Sequence, residues 1–144
     1  MKFIDEARAY QDNMIEDLRE LVKIESVRDD AAATKEAPFG PNIAKCLDKA
    51  LEIGKRDGFK VENVDGHAGV IQYGDLEESV GVLGHLDVVP IGDGWTFDPL
   101  GGEIKDGYIM GRGTCDDKGP AIAAYYAMKI LKDKGYKLNH NIQM

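Results

Sequence analysis

The chain has 144 residues, enough for one domain with a buried core, and its 43% hydrophobic and 31% charged content argues against disorder. With 26 acidic against 18 basic residues, a net charge of -8 disfavours phosphate backbones and anionic lipid as partners, so neither nucleic acid nor a membrane surface is expected. No apolar run approaches the ~20 residues of a membrane helix, Met1–Glu6 carries two acids unlike a secretory leader, and two cysteines fit a reducing compartment; a soluble cytoplasmic protein is expected.

In chain order, Phe3, Ala7, Tyr10, Met14, Leu18 and Leu21 recur at spacings of three and four and predict one amphipathic helix with a solvated acidic face. Residues 26–39 read as a long loop, of the kind that often lines functional sites. A second helix is predicted from Pro41 and Asn42 to a stop at Gly58, with Cys46 on its apolar side. Residues 59–64, 70–73 and 80–83 read as short strands, the last of them buried. Residues 101–110 read as a hairpin turning at Asp106-Gly107. A third helix is predicted over residues 119–134, and a strand begins at His140. Arg56-Asp57-Gly58-Phe59 echoes Asp133-Lys134-Gly135-Tyr136, and the preferred reading is two helix-to-strand connections with one geometric solution. The alternation of helices and strands predicts an α/β fold, a mixed sheet flanked by helices.

Two segments carry chemistry. The first is Gly84-His85-Leu86-Asp87-Val88-Val89-Pro90, at the end of a predicted strand, where α/β sheets bind ligands. On extended backbone His85 and Asp87 project to one side. The pair suits a metal ligand with its orienting carboxylate, a nucleophile's general base, or a histidine satisfied locally. The second is Gly111-Arg112-Gly113-Thr114-Cys115-Asp116-Asp117-Lys118-Gly119-Pro120, between a strand and a helix. Adjacent carboxylates repel unless a cation or helix end compensates; they read as two-metal bridging or as helix capping. Together the segments offer nitrogen and oxygen donors suited to zinc, manganese or cobalt. Among the rest, Cys115 reads as a buried filler, His67 as a turn residue and His140 as structural. Trp95 reads as an entrance-shaping or packing residue, Arg112 as a partner of a carboxylate, and Tyr125, Tyr126 and Met128 as core or helix surface.

These segments, with Gly92-Asp93-Gly94-Trp95 and Asp98-Pro99 between them, resemble the M20 metallopeptidase family, most closely its PepV-like dipeptidase branch. The resemblance runs from about residue 3 to 144, with its specific core at 80–124. It implies a zinc-dependent exopeptidase-like fold and hydrolysis of a dipeptide amide bond with two zinc ions. His85 would ligate one zinc, Asp87 would be the catalytic-site residue orienting His85, and Asp116 would bridge both metals. Asp117 would follow across a cis peptide, and Asp117 and Trp95 would support the site. The family's general-base glutamate, remaining ligands and lid domain have no counterpart in these residues. Residues 1–144 are therefore expected to be an incomplete, N-terminal portion of a catalytic domain, inactive alone, weak in metal binding and prone to self-association through an open sheet edge. An M20-type deacylase, such as a desuccinylase or deacetylase, and a non-catalytic peptide-binding module of the same fold are the alternatives.

Overall fold

The computed structural model describes residues 3–144; Met1 and Lys2, at the head of the Met1–Glu6 stretch considered above, lie outside the described residues. The predicted first helix is two: α1 (Phe3–Arg8) and α2 (Gln11–Val22). The break falls where the Ala9 and Tyr10 N–H groups bond three residues back, to Glu6 and Ala7. Tyr10 is held by the third helix of the prediction: its ring packs edge-on to Tyr126 and its hydroxyl donates to Asp133 at 3.1 Å. This anchor explains the break better than any weakness in the apolar pattern.

Helix α3 (Pro41–Arg56) starts with Pro41 in its first turn, and α4 (Lys118–Asp133) follows Asp117. Both end alike. Gly58 and Gly135 take positive φ, and their N–H groups bond Lys55 and Lys132 carbonyls. The Phe59 and Tyr136 N–H groups then reach back to Gly54 and Leu131. This is the Schellman arrangement, in which a left-handed glycine satisfies the last helical carbonyls. The sequence echo is thus one helix-ending geometry used twice, as expected.

The main sheet has the order β1-β2-β6-β3, with β1 (Lys60–Val64), β2 (Ala68–Tyr73), β3 (Ser79–Gly81) and β6 (Asn141–Gln143). β1–β2 and β2–β6 are antiparallel and β3–β6 is parallel, so the sheet is mixed. Strands β4 (Glu103–Lys105) and β5 (Tyr108–Met110) form the separate hairpin, with positive φ at both Asp106 and Gly107 as a tight two-residue turn requires. Helix α3 packs on β1 and β2, and α2 packs on α3 and α4. Leu21, Val22, Cys46, Ile71, Tyr125 and Tyr126 lie in the core between them. No helix among the described residues is long and apolar enough to cross a membrane.

Two expectations are corrected. The 80–83 segment is not a buried strand: β3 pairs only with β6, and Val80 is 52% and Leu83 100% exposed, because nothing among the described residues covers that edge. The acidic helix faces are not uniformly solvated. Asp17 is buried, accepting both Arg56 guanidinium N–H groups at 2.7 and 2.8 Å and the Tyr126 hydroxyl at 2.7 Å. A paired, fully hydrogen-bonded carboxylate tolerates burial that an isolated one does not.

Candidate metal centre

His85 lies just beyond β3. The extended chain continues from that strand, with the Val82 N–H donating to the Gln143 carbonyl. Gly84 precedes it closely against α4: a Cβ there would stand 3.1 Å from Asp117 Oδ2 and 3.3 Å from Ala121 Cβ. That proximity lets Asp117 Oδ2 accept the His85 backbone N–H at 3.1 Å. Asp117 thus occupies the position before α4 without capping it through its side chain. Its carboxylate is committed to the histidine segment instead.

The His85 ring is held at both nitrogens. Nδ1 lies 3.1 Å from the Asp87 carbonyl and 3.2 Å from the Asp87 carboxylate, as the two-residue spacing predicts. Nε2 lies 3.0 Å from Asp116 Oδ1. Every neighbour named here is an acceptor, so a cation must stand between Nε2 and Asp116, either a proton or a metal ion. Partial burial works to lower the His85 pKa, but the hydrogen bond to Asp116, the Asp87 carbonyl and both negative charges outweigh it and raise the pKa above 6.5. A ring nitrogen facing a carboxylate oxygen in this way is the donor chemistry of a nitrogen–carboxylate metal pair. The set is partial: no group of three or more His, Cys, Asp or Glu side chains among the described residues could hold a metal ion.

Asp116 projects from the tight 111–117 loop and is 88% exposed, and the Asp116–Asp117 peptide is cis. Gly119 lies so close to the Thr114 carbonyl that no side chain fits there. Next to His85 and Asp87 a cavity of about 430 Å³ opens, walled by Leu47, Leu51, Leu83 and Met144, with Arg28 and His67 also lining it.

Other residues take different places from those expected. Cys115 is exposed, not a buried filler, because it rides on the same surface loop as Asp116. Arg112 does not meet a carboxylate: its guanidinium donates to the Ile91 carbonyl at 3.1 Å and stacks over the Trp95 ring at 5.1 Å. Trp95 in turn donates to Ile91 at 2.9 Å and packs edge-on to Phe97, so it anchors the 91–97 loop. His67 sits in its turn on the Asp65 carbonyl and against Phe39, and His140 pairs with Glu78 at 3.0 Å.

Sequence reasoning missed Ser26 and Lys118, both fully buried. Lys118 left a signal: a cation opening a helix opposes the helix dipole. Its Nζ donates instead to the Leu21 and Ile24 carbonyls at 2.9 and 2.8 Å, at and just beyond the end of α2, beside the Ile24 and Ser26 N–H groups that these carbonyls also accept. Burial depresses the Lys118 pKa, with Cys46 and Asp87 acting against that shift.

Beyond β3 of the mixed α/β sheet, a histidine and two adjacent aspartates are brought together. Residues 81–144 match the model of peptidase family M20/M25/M40. The chain is 52% identical over 124 residues to a "Putative dipeptidase" of Staphylococcus epidermidis, covering 86% of this chain and 26% of that protein. It is 45% identical over 134 residues to the Bacillus subtilis protein named "Putative dipeptidase YtjP", covering 93% of this chain and 29% of that one. The crystal structure of human carnosine dipeptidase 1 superposes with a TM-score of 0.75 at 27% identity, covering 94% of this chain and 31% of that one. The chain thus spans between a quarter and a third of the length of the proteins it matches.

Proposed function

We propose that this chain forms part of the catalytic domain of a dinuclear zinc dipeptidase that hydrolyses the amide bond of small peptides in the cytoplasm. One observation carries the reading: His85 Nε2 lies 3.0 Å from Asp116 Oδ1 while Nδ1 is held by Asp87. In this reading His85 and Asp116 would be the residues of this chain that hold zinc, and Asp87 would fix the ring so that Nε2 is the nitrogen presented. Asp117 ties the His85 backbone to the start of α4. When bound, the metal pair supplies the Lewis acidity that polarises the scissile carbonyl. The dipeptidase names of the relatives support the substrate class, and the apolar cavity beside Asp87 supports a small peptide with a hydrophobic side chain.

Titration with zinc or manganese chloride tests the assignment. Wild-type protein is expected to bind weakly, since two ligands fall short of the four of a closed zinc site, and His85→Ala and Asp116→Ala are expected to abolish the binding. Wild-type uptake in both variants would show the site to be elsewhere. Residues 1–144 alone are expected to hydrolyse no dipeptide, and turnover with either metal added would remove the two-ligand reading.

A further inference from the structure

We infer that the segment leaving α2, residues 21–26, positions both halves of the His85–Asp116 pair through Ser26 and through its bonds to Lys118. Ser26 Oγ donates to the Leu86 carbonyl at 2.6 Å, and the Ser26 carbonyl accepts the Val88 N–H at 2.9 Å. Those two bonds flank Asp87 and fix the backbone on both sides of the residue that meets His85 Nδ1. Lys118 holds the segment that carries Ser26: Nζ donates to the Leu21 and Ile24 carbonyls, and the Ile24 carbonyl also accepts the Ser26 N–H at 2.8 Å. Lys118 directly follows Asp117, which binds the His85 N–H, and lies two residues beyond Asp116.

The bonds close a ring. From Ser26 it runs to Leu86 and Val88, through Asp87 to His85, across to Asp116 and Asp117, and through Lys118 back to Ile24. Two segments about 30 residues apart in sequence are thereby referenced to the one segment that leaves α2. A buried ammonium bonded to carbonyls rather than a carboxylate is costly to place, and a lysine opening α4 works against that helix. Position explains both: through the Leu21 and Ile24 carbonyls Lys118 ties the chain leaving α2 to the place where Asp116 must be held. Neither residue touches the reacting atoms, so both are positioning residues.

The inference rests on the metal reading of the pair, and its test separates the two. Ser26→Ala is compared with Ile53→Val, which removes a core methyl elsewhere, using NMR of the His85 ring and of amide exchange together with zinc chloride titration. Ser26→Ala is expected to shift the His85 ring signals, to speed Val88 amide exchange, and to weaken zinc binding about tenfold, the usual effect of losing an outer support of a ligand. Ile53→Val is expected to change none of these. Unchanged His85 signals and zinc affinity in Ser26→Ala, or equal changes in Ile53→Val, would overturn the inference. If wild-type protein takes up no zinc, the metal reading falls, and the His85 ring signals and Val88 exchange alone decide the positioning role.

Discussion

The Nε2 of His85 and the Oδ1 of Asp116 lie 3.0 Å apart although 31 residues separate them in sequence. With Nδ1 already committed to Asp87, this contact makes sense only with a positive centre between the two atoms. Asp87→Ala should therefore act differently from loss of the ligand itself. The Asp87 carbonyl, 3.1 Å from Nδ1, stays in place while the carboxylate is removed. Zinc affinity is expected to fall roughly 10–100-fold without disappearing, as measured by calorimetric titration beside His85→Ala.

Asp57 gives the fold a pH dependence. Burial works to raise its pKa, but hydrogen bonds from Arg56 and Tyr125 and the nearby Lys129 charge outweigh it, and the value lies below 3.8. A carboxyl depressed in the folded state contributes stability that is present above its unfolded value and lost as pH falls through the folded one. Asp57→Asn is expected to lower the melting temperature at pH 7, and the gap to wild type should close as pH falls below 3.8.

Gly119 lies in the first turn of α4, where helix propensity alone favours alanine by about 1 kcal/mol. The added Cβ would instead meet the Thr114 carbonyl, which belongs to the loop carrying Asp116. Gly119→Ala is expected to cost about 1–3 kcal/mol in urea unfolding and to weaken zinc binding with it. A stabilised variant would show that the loop yields freely.

The open side of β3 leaves Val80, Val82 and Leu83 exposed beside unpaired backbone. Such an edge templates pairing with another chain. Light scattering at high concentration is expected to show self-association that Val80→Lys suppresses; a monomeric wild type would exclude this edge as a contact.

Much of the site was legible because its parts are local. The His85–Asp87 contact follows from a two-residue period, and the turn at Asp106-Gly107 and the stops at Gly58 and Gly135 follow from backbone conformations that favour glycine. The break at Tyr10 was not legible, since the apolar period continues through it and the cause is a ring seated on Tyr126. Asp17 looked like one more surface acid because nothing near it in sequence announces Arg56 and Tyr126.

The sequence by itself determined most of the helices and strands, the donor types and the family resemblance, because periodicity, turn chemistry and motif spacing act over a few residues. Only the tertiary structure decided which donors meet. Asp116 reaches His85, Asp117 turns from helix capping to the His85 N–H, and Ser26 with Lys118 ties both stretches to the segment leaving α2. These contacts join residues 31 to 97 positions apart. The exposed His85 and Asp116 meet because the fold brings two distant segments together, and the buried Ser26 and Lys118 bond across elements because no water is there to satisfy them.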